Sequence, residues 1–230
     1  MTQFDGVIFD LDGTLLDSLE DIANAANATL AKLNLPTWPV ENYKHYVGDG
    51  VRLLFERALA PSNSQSPNAS TSDILESCLE IYQNQYNQNW DRCSKPYPGI
   101  PDMLRTLHNA GLKLAVLSNK PEPFTLLCIK RFFPDIPFDL TLGHSDRFPR
   151  KPDPTSAKWI AAQFSTNPQR IAYVGDTNTD MQTAVGANLF PIGVSWGFRS
   201  EQEILAAGAK IMCHSSNDLQ QALLEKPYAT

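Results

Sequence analysis

With 230 residues, 42% of them hydrophobic, the chain is long enough to bury a sizeable core, and no stretch approaches the roughly 20 apolar residues that would span a bilayer. A net charge of −6 with no basic cluster argues against nucleic acid as the main partner. Cys78, Cys93, Cys128 and Cys213 lie far apart with no Cys-x-x-Cys pair, which suggests neither a disulfide framework nor a thiolate zinc site, and the opening residues have neither the basic nor the apolar part of an export signal. The expectation is a cytoplasmic protein.

A first strand over about residues 4–10 runs into Asp10-Leu11-Asp12-Gly13-Thr14. Its two acids are spaced i, i+2, and in an extended chain both face one side, about 6–7 Å apart. Ser18 with Asp21 three positions on resembles a capping pair opening a helix to about Leu33, with Leu19, Ile22, Ala23, Ala26 and Leu30 as its apolar stripe. Helical segments at 40–47 and 51–60 follow, parted by Gly48-Asp49-Gly50. Pro61–Ser72 reads as an exposed loop, and a helix from Asp73 to about Gln88 comes next.

From Pro96-Tyr97-Pro98-Gly99 the pattern changes to alternation. Helices at 100–110, 121–132, 154–164, 178–186, 201–207 and 216–225 are separated by strands at 112–117, 138–142, 171–174, 189–194 and 210–213. This predicts an α/β fold, a doubly wound, Rossmann-like parallel sheet formed by residues 1–17 and 91–230 and interrupted by a helical insertion at 18–90. Ligands in such sheets bind at the C-terminal ends of the strands, and the insertion, which begins just after Asp12, is placed to cover that end.

The strand ends collect Asp10, Asp12, Gly13 and Thr14, then Ser118-Asn119-Lys120, then Lys151, then Asp176 to Asp180. Carboxylates about 4 Å apart repel by about 1–4 kcal/mol per pair, so the cluster calls for a cation, and its oxygen-only ligands favour Mg²⁺. A metal, a hydroxyl and a lysine together receive a phosphoryl group. Asp10 is then the candidate nucleophile, forming an aspartyl-phosphate, with Asp12 as general acid and later general base, and with Ser118 and Lys151 on the phosphoryl oxygens. Gly13 makes the turn that frees backbone amides for phosphate, Thr14 adds a supporting hydroxyl, and Asn119 joins the substrate-binding set.

Asp10-Leu11-Asp12-Gly13-Thr14, Ser118-Asn119-Lys120, Lys151-Pro152-Asp153-Pro154 and Gly175-Asp176 with Asp180 resemble, in order, the four motifs of the haloacid dehalogenase superfamily of phosphohydrolases. The resemblance implies Mg²⁺ held by Asp10, the backbone carbonyl of Asp12 and Asp176, with Asp180 a direct or water-mediated partner, and it implies that the insertion is a mobile cap. Thr177 stands where the family commonly has Ser, and the presence of Asp12 sets the chain apart from the dehalogenating members. Tyr46–Arg52, Tyr97–Ile100, Ser118–Pro121 and Gly193–Phe198 are similar to the phosphoglycolate phosphatase subfamily, in part also to pyrophosphatase-like and sugar-phosphate-acting relatives. That likeness makes Gly50 and Arg52 candidates for the substrate's carboxylate, against the plainer reading of a glycine turn beside a solvated arginine. For Trp196 and Phe198 the expectation is packing against the last strands.

The implied substrate is a small anionic phosphorylated metabolite, 2-phosphoglycolate before others, with no nucleic acid or membrane partner, and a monomer or homodimer is expected. A phosphosugar mutase, a pyrophosphatase and, from another class, a phospho-acceptor signalling module stay open as alternatives.

Overall fold

The structure, a computed structural model, describes residues 3–60 and 71–225. The chain divides into two compact units, Met1–Asp17 with Pro96–Thr230, and Ser18–Lys95.

The larger unit is built on a six-stranded parallel sheet. Its strands are β1 (Gly6–Phe9), β4 (Lys113–Pro121), β5 (Leu140–His144), β6 (Ile171–Gly175), β7 (Phe190–Val194) and β8 (Ile211–Cys213), in the order β5-β4-β1-β6-β7-β8. Two-residue strands, β2 (Leu16–Asp17) and β3 (Lys95–Pro96), occur where the chain leaves this unit and where it returns. Helices α4 (Ile100–Asn109), α5 (Glu122–Phe132), α6 (Thr155–Phe164), α7 (Asn178–Gly186), α8 (Glu201–Ala206) and α9 (Ser216–Leu224) alternate with the strands, as the α/β expectation required.

β1, β4 and β6 are buried almost throughout, so they read as continuous apolar runs rather than alternating ones. Ile8, Ala115, Leu117, Ile171 and Tyr173 meet Ala157, Ile160, Ala161 and Phe164 of α6 and Ala184 of α7 in one core cluster. In register, Phe9 lies beside Val116 on one side and Val174 on the other. Strand order therefore reverses beside β1, the place where a parallel sheet opens a crevice at its carboxyl end. Asp10, Ser118 and Asp176 all stand there.

β4 continues four residues past the predicted end at 117, with a register shift between Leu117 and Pro121, so Ser118, Asn119 and Lys120 ride on an irregular strand rather than on a loop after it.

The smaller unit holds α1 (Leu19–Lys32), α2 (Val51–Leu59) and α3 (Thr71–Asn89). The stripe Leu19, Ile22, Ala23, Ala26 and Leu30 is buried as expected, against a core that includes Tyr43, Phe55, Cys78 and Tyr82. The predicted helix at 40–47 is instead a 3-10 helix, Val40–His45, too short to repay the nucleation of an α-helix. α3 begins at Thr71, so the predicted loop ends before Ser72, and residues 61–70 of it lie outside the described residues.

The capping pair is also corrected. Ser18 makes no side-chain cap bond, and Asp21, buried, accepts instead from the backbone N–H groups of Cys93 and Ser94 and from the Ser94 hydroxyl at 2.6 Å. These bonds tie residues 93–94 to α1, and the smaller unit runs to Lys95, five residues past the expected end of the insertion at 90.

Candidate active site

Asp10 follows β1 directly, its N–H donating to the Val174 carbonyl at 2.9 Å. Its carboxylate is buried with Lys151 Nζ at 2.9 Å. Burial pushes the Asp10 carboxyl up to about 7, with Lys151 pulling it down and Asp180 and Asp12 pushing it further up. Burial works against the Lys151 ammonium as well, yet the attraction of Asp10 and Asp180 outweighs it and holds the lysine charged, well above its ordinary range. Lys151 Nζ also donates to Asp180 Oδ1 at 2.7 Å and to the Leu117 carbonyl at 3.0 Å.

Asn119 sets the position of that lysine. Its amide nitrogen donates to the Lys151 carbonyl at 3.0 Å and its amide oxygen accepts from the Lys151 N–H at 2.9 Å. Both ends of the expected substrate-binding amide are thus engaged by main chain. Ser118 is buried at the same strand end, where its hydroxyl accepts from the Lys120 N–H at 3.2 Å. The Lys151–Pro152 peptide is cis.

Asp176 and Asp180 come from the turn between β6 and α7. Thr177 and Asp180 form a reciprocal capping box at the start of α7, the Thr177 hydroxyl donating to Asp180 Oδ2 at 2.6 Å. Asp180 is therefore committed to Thr177 on one oxygen and to Lys151 on the other. Asp176 has no lysine or arginine against it among the described residues. It accepts from the Thr14 hydroxyl at 2.9 Å and from the Phe198 N–H at 2.8 Å, and burial, with repulsion from Asp180 and Asp10, raises its carboxyl well above the usual range. Thr14 is thus a supporting hydroxyl, directed at a carboxylate.

Gly13 has φ +89°, the turn expected of it, but its own N–H is spent on the Leu16 carbonyl at 2.9 Å. Trp196 donates its indole N–H to the Thr14 carbonyl at 3.0 Å, and the loop after β7 supplies the Phe198 N–H to Asp176, so these residues also brace the site rather than merely packing against strands. Lys120 enters the sequence reading only as part of a motif, yet its Nζ lies 3.0 Å from both oxygens of Asp12.

One carboxylate oxygen from each of Asp10, Asp176 and Asp180 lies within 4.8 Å of the other two, and all three residues are buried. Lys151 serves two of the three, which leaves uncompensated negative charge on an all-oxygen donor set. That set fits a hard divalent cation. Gly50 and Arg52 belong to the helical unit, where Arg52 pairs with Glu76 at 2.6 Å, both side chains about half exposed. Asp49, between them and Tyr46, pairs with Arg57 at 2.5 Å.

The model of the haloacid dehalogenase-like hydrolase family matches residues 7–194. The chain is similar to the phosphoglycolate phosphatase of Mannheimia succiniciproducens, 33% identical over 203 residues that make up 88% of this chain and 91% of the relative. It is 31% identical to that of Vibrio parahaemolyticus, over 94% of this chain and 95% of the relative. Among solved structures, a protein from Lactobacillus delbrueckii subsp. bulgaricus superposes with a TM-score of 0.91 at 30% identity, covering 98% of this chain and 100% of the other. A predicted phosphoglycolate phosphatase from Haemophilus somnus does so with a TM-score of 0.88 at 28% identity, covering 96% and 98%. No described helix is long and apolar enough to cross a membrane.

Proposed function

The chain belongs to the haloacid dehalogenase-like hydrolase family and is a phosphatase, and on that premise we propose that it hydrolyses 2-phosphoglycolate, with Mg²⁺, through an aspartyl-phosphate on Asp10. The observation that carries the mechanism is Asp10 itself, a buried carboxylate at the end of β1, gripped by Lys151 at 2.9 Å and grouped with Asp176 and Asp180. The substrate is supported by the phosphoglycolate phosphatases to which most of the chain is similar.

The residues divide the work as follows. An Asp10 oxygen attacks phosphorus, and the bond from phosphorus to the ester oxygen breaks. Asp12 gives that leaving oxygen its proton, then takes a proton from water as the water attacks the aspartyl-phosphate and frees Asp10 and inorganic phosphate. Lys151, fixed by Asn119, neutralises phosphoryl charge beside Asp10, and the Ser118 hydroxyl donates to a phosphoryl oxygen. Asp10, Asp176 and the backbone carbonyl of Asp12 would hold Mg²⁺, with Asp180 direct or through water, and the ion would supply further positive charge to the phosphoryl group.

Choice of a carboxylate-bearing substrate is assigned to Arg52, beside Gly50. Exchanging Glu76 for a substrate carboxylate would keep that guanidinium paired. A small metabolite as substrate agrees with a cytoplasmic location.

Phosphate release should be measured on 2-phosphoglycolate, glucose 6-phosphate, β-glucose 1-phosphate and pyrophosphate, with and without Mg²⁺. Preference for 2-phosphoglycolate that vanishes on chelation is expected. Comparable turnover of pyrophosphate or sugar phosphates would overturn the substrate, and isomerised sugar phosphate with little free phosphate would instead mark a mutase.

A further inference from the structure

Two lysines are buried at the strand ends, and they serve different carboxylates. Lys151, its side chain 3% exposed, attends Asp10 and Asp180. Lys120, 4% exposed, directs its Nζ to Asp12, 3.0 Å from each oxygen. The Lys120 backbone is itself anchored, its N–H donating to the Ser118 hydroxyl at 3.2 Å and its carbonyl accepting from the Thr125 hydroxyl at 3.2 Å. The ammonium thus projects from a fixed point on the shifted end of β4.

Asp12 sits in the loop after β1, with 15% of its side chain exposed, more than Asp10 or Asp180. A carboxylate on a short loop has several rotamers open to it, and proton transfer works only from the one in reach of the reacting oxygen. Contact to both oxygens constrains rotation as well as distance.

We propose that Lys120 is a positioning residue for Asp12, holding its carboxylate in one orientation through both half-reactions. The inference rests on the reading of Asp12 as the proton carrier.

The test is a double-mutant cycle in the full chain, with Mg²⁺ and 2-phosphoglycolate, on Lys120→Met, Asp12→Asn and the pair, with Lys120→Arg as the conservative variant and circular dichroism to establish folding. Misplacing a catalytic group by about 1 Å costs on the order of 100-fold, so kcat of Lys120→Met should fall by about that much while KM stays near wild type. Lys120→Arg should recover part of the loss, and in the Asp12→Asn background Lys120→Met should change kcat little further. If Lys120→Met does not fold, Lys120→Arg and Lys120→Gln are read in the same cycle. Independent, multiplying effects in the two backgrounds would overturn the proposal, as would an unchanged kcat or a loss confined to KM. An Asp12→Asn variant with ordinary turnover would instead overturn the proton-carrier reading itself.

Discussion

Gly197 lies against Asp176 so closely that a Cβ at that glycine would fall 2.3 Å from the Asp176 Cβ and 2.4 Å from its Oδ2. Gly13 approaches from elsewhere with an added Cβ 2.3 Å from the same Oδ2. The carboxylate is boxed between two glycines and held by the Phe198 N–H and the Thr14 hydroxyl. Neither glycine can gain a side chain without displacing it.

Gly197→Ala should therefore move Asp176. Overpacking of this kind costs about 1–3 kcal/mol of stability. Because Asp176 is assigned to Mg²⁺, affinity for the ion should fall about 10–100-fold, as when the supports of a metal ligand are disturbed. Titration calorimetry with Mg²⁺ checks the second effect separately from turnover.

Lys151→Met leaves Asp10 and Asp180 buried without their shared cation. Breaking a buried ion pair on one side costs about 3–5 kcal/mol, so the urea midpoint should drop sharply in the absence of metal, and phosphate release should be lost. Lys151→Arg should not restore release, since a planar guanidinium does not fit a site that places one nitrogen within 3.0 Å of two carboxylates and the Leu117 carbonyl.

Asp10 carries a pH signature. Its folded value near 7 lies above the ordinary 3.8, so ionising it opposes folding. The stability it contributes is fully present below about pH 4 and is lost as pH rises through about 7; Asp176 acts in the same direction. In chelator, thermal unfolding should move to lower temperature across that interval relative to a chain with Asp10→Asn. Added Mg²⁺ should raise the unfolding temperature by an amount that grows from pH 5 to pH 8. An increment independent of pH would contradict this.

Asp21→Ala removes the one acceptor shared by the Cys93 and Ser94 N–H groups and the Ser94 hydroxyl. Hydrogen bonds to a buried charge are worth about 1.5–3 kcal/mol, so a loss of that order is expected in urea unfolding. Asp21→Asn, which keeps one acceptor oxygen, should lose less.

Much of the fold was legible because its signals are local. The parallel strands are continuous apolar runs, the helices have 3.6-residue stripes, and turns carry Gly and Pro, so alternation along the chain was enough to call for a doubly wound sheet. Ser18 and Asp21 show the limit: the spacing of a capping box is a local pattern, but Asp21 found stronger donors some seventy residues away. The end of β4 has a similar cause, since Ser, Asn and Lys read as loop residues along the chain and only pairing with β5, which resumes at Pro121 and His144 after a register shift, makes them part of the strand.

Periodicity and order along the chain are enough to say which chemical groups reach the carboxyl end of the sheet, because strand ends and their acids, hydroxyls and lysines follow from them. How those groups are apportioned emerges only on folding. Lys120 goes to Asp12 and Lys151 to Asp10 and Asp180, Asn119 goes to the Lys151 backbone, and Asp176 is left with neutral donors. Lys120 and Asp12 meet at 3.0 Å across 108 positions of chain, and no spacing along a chain encodes that.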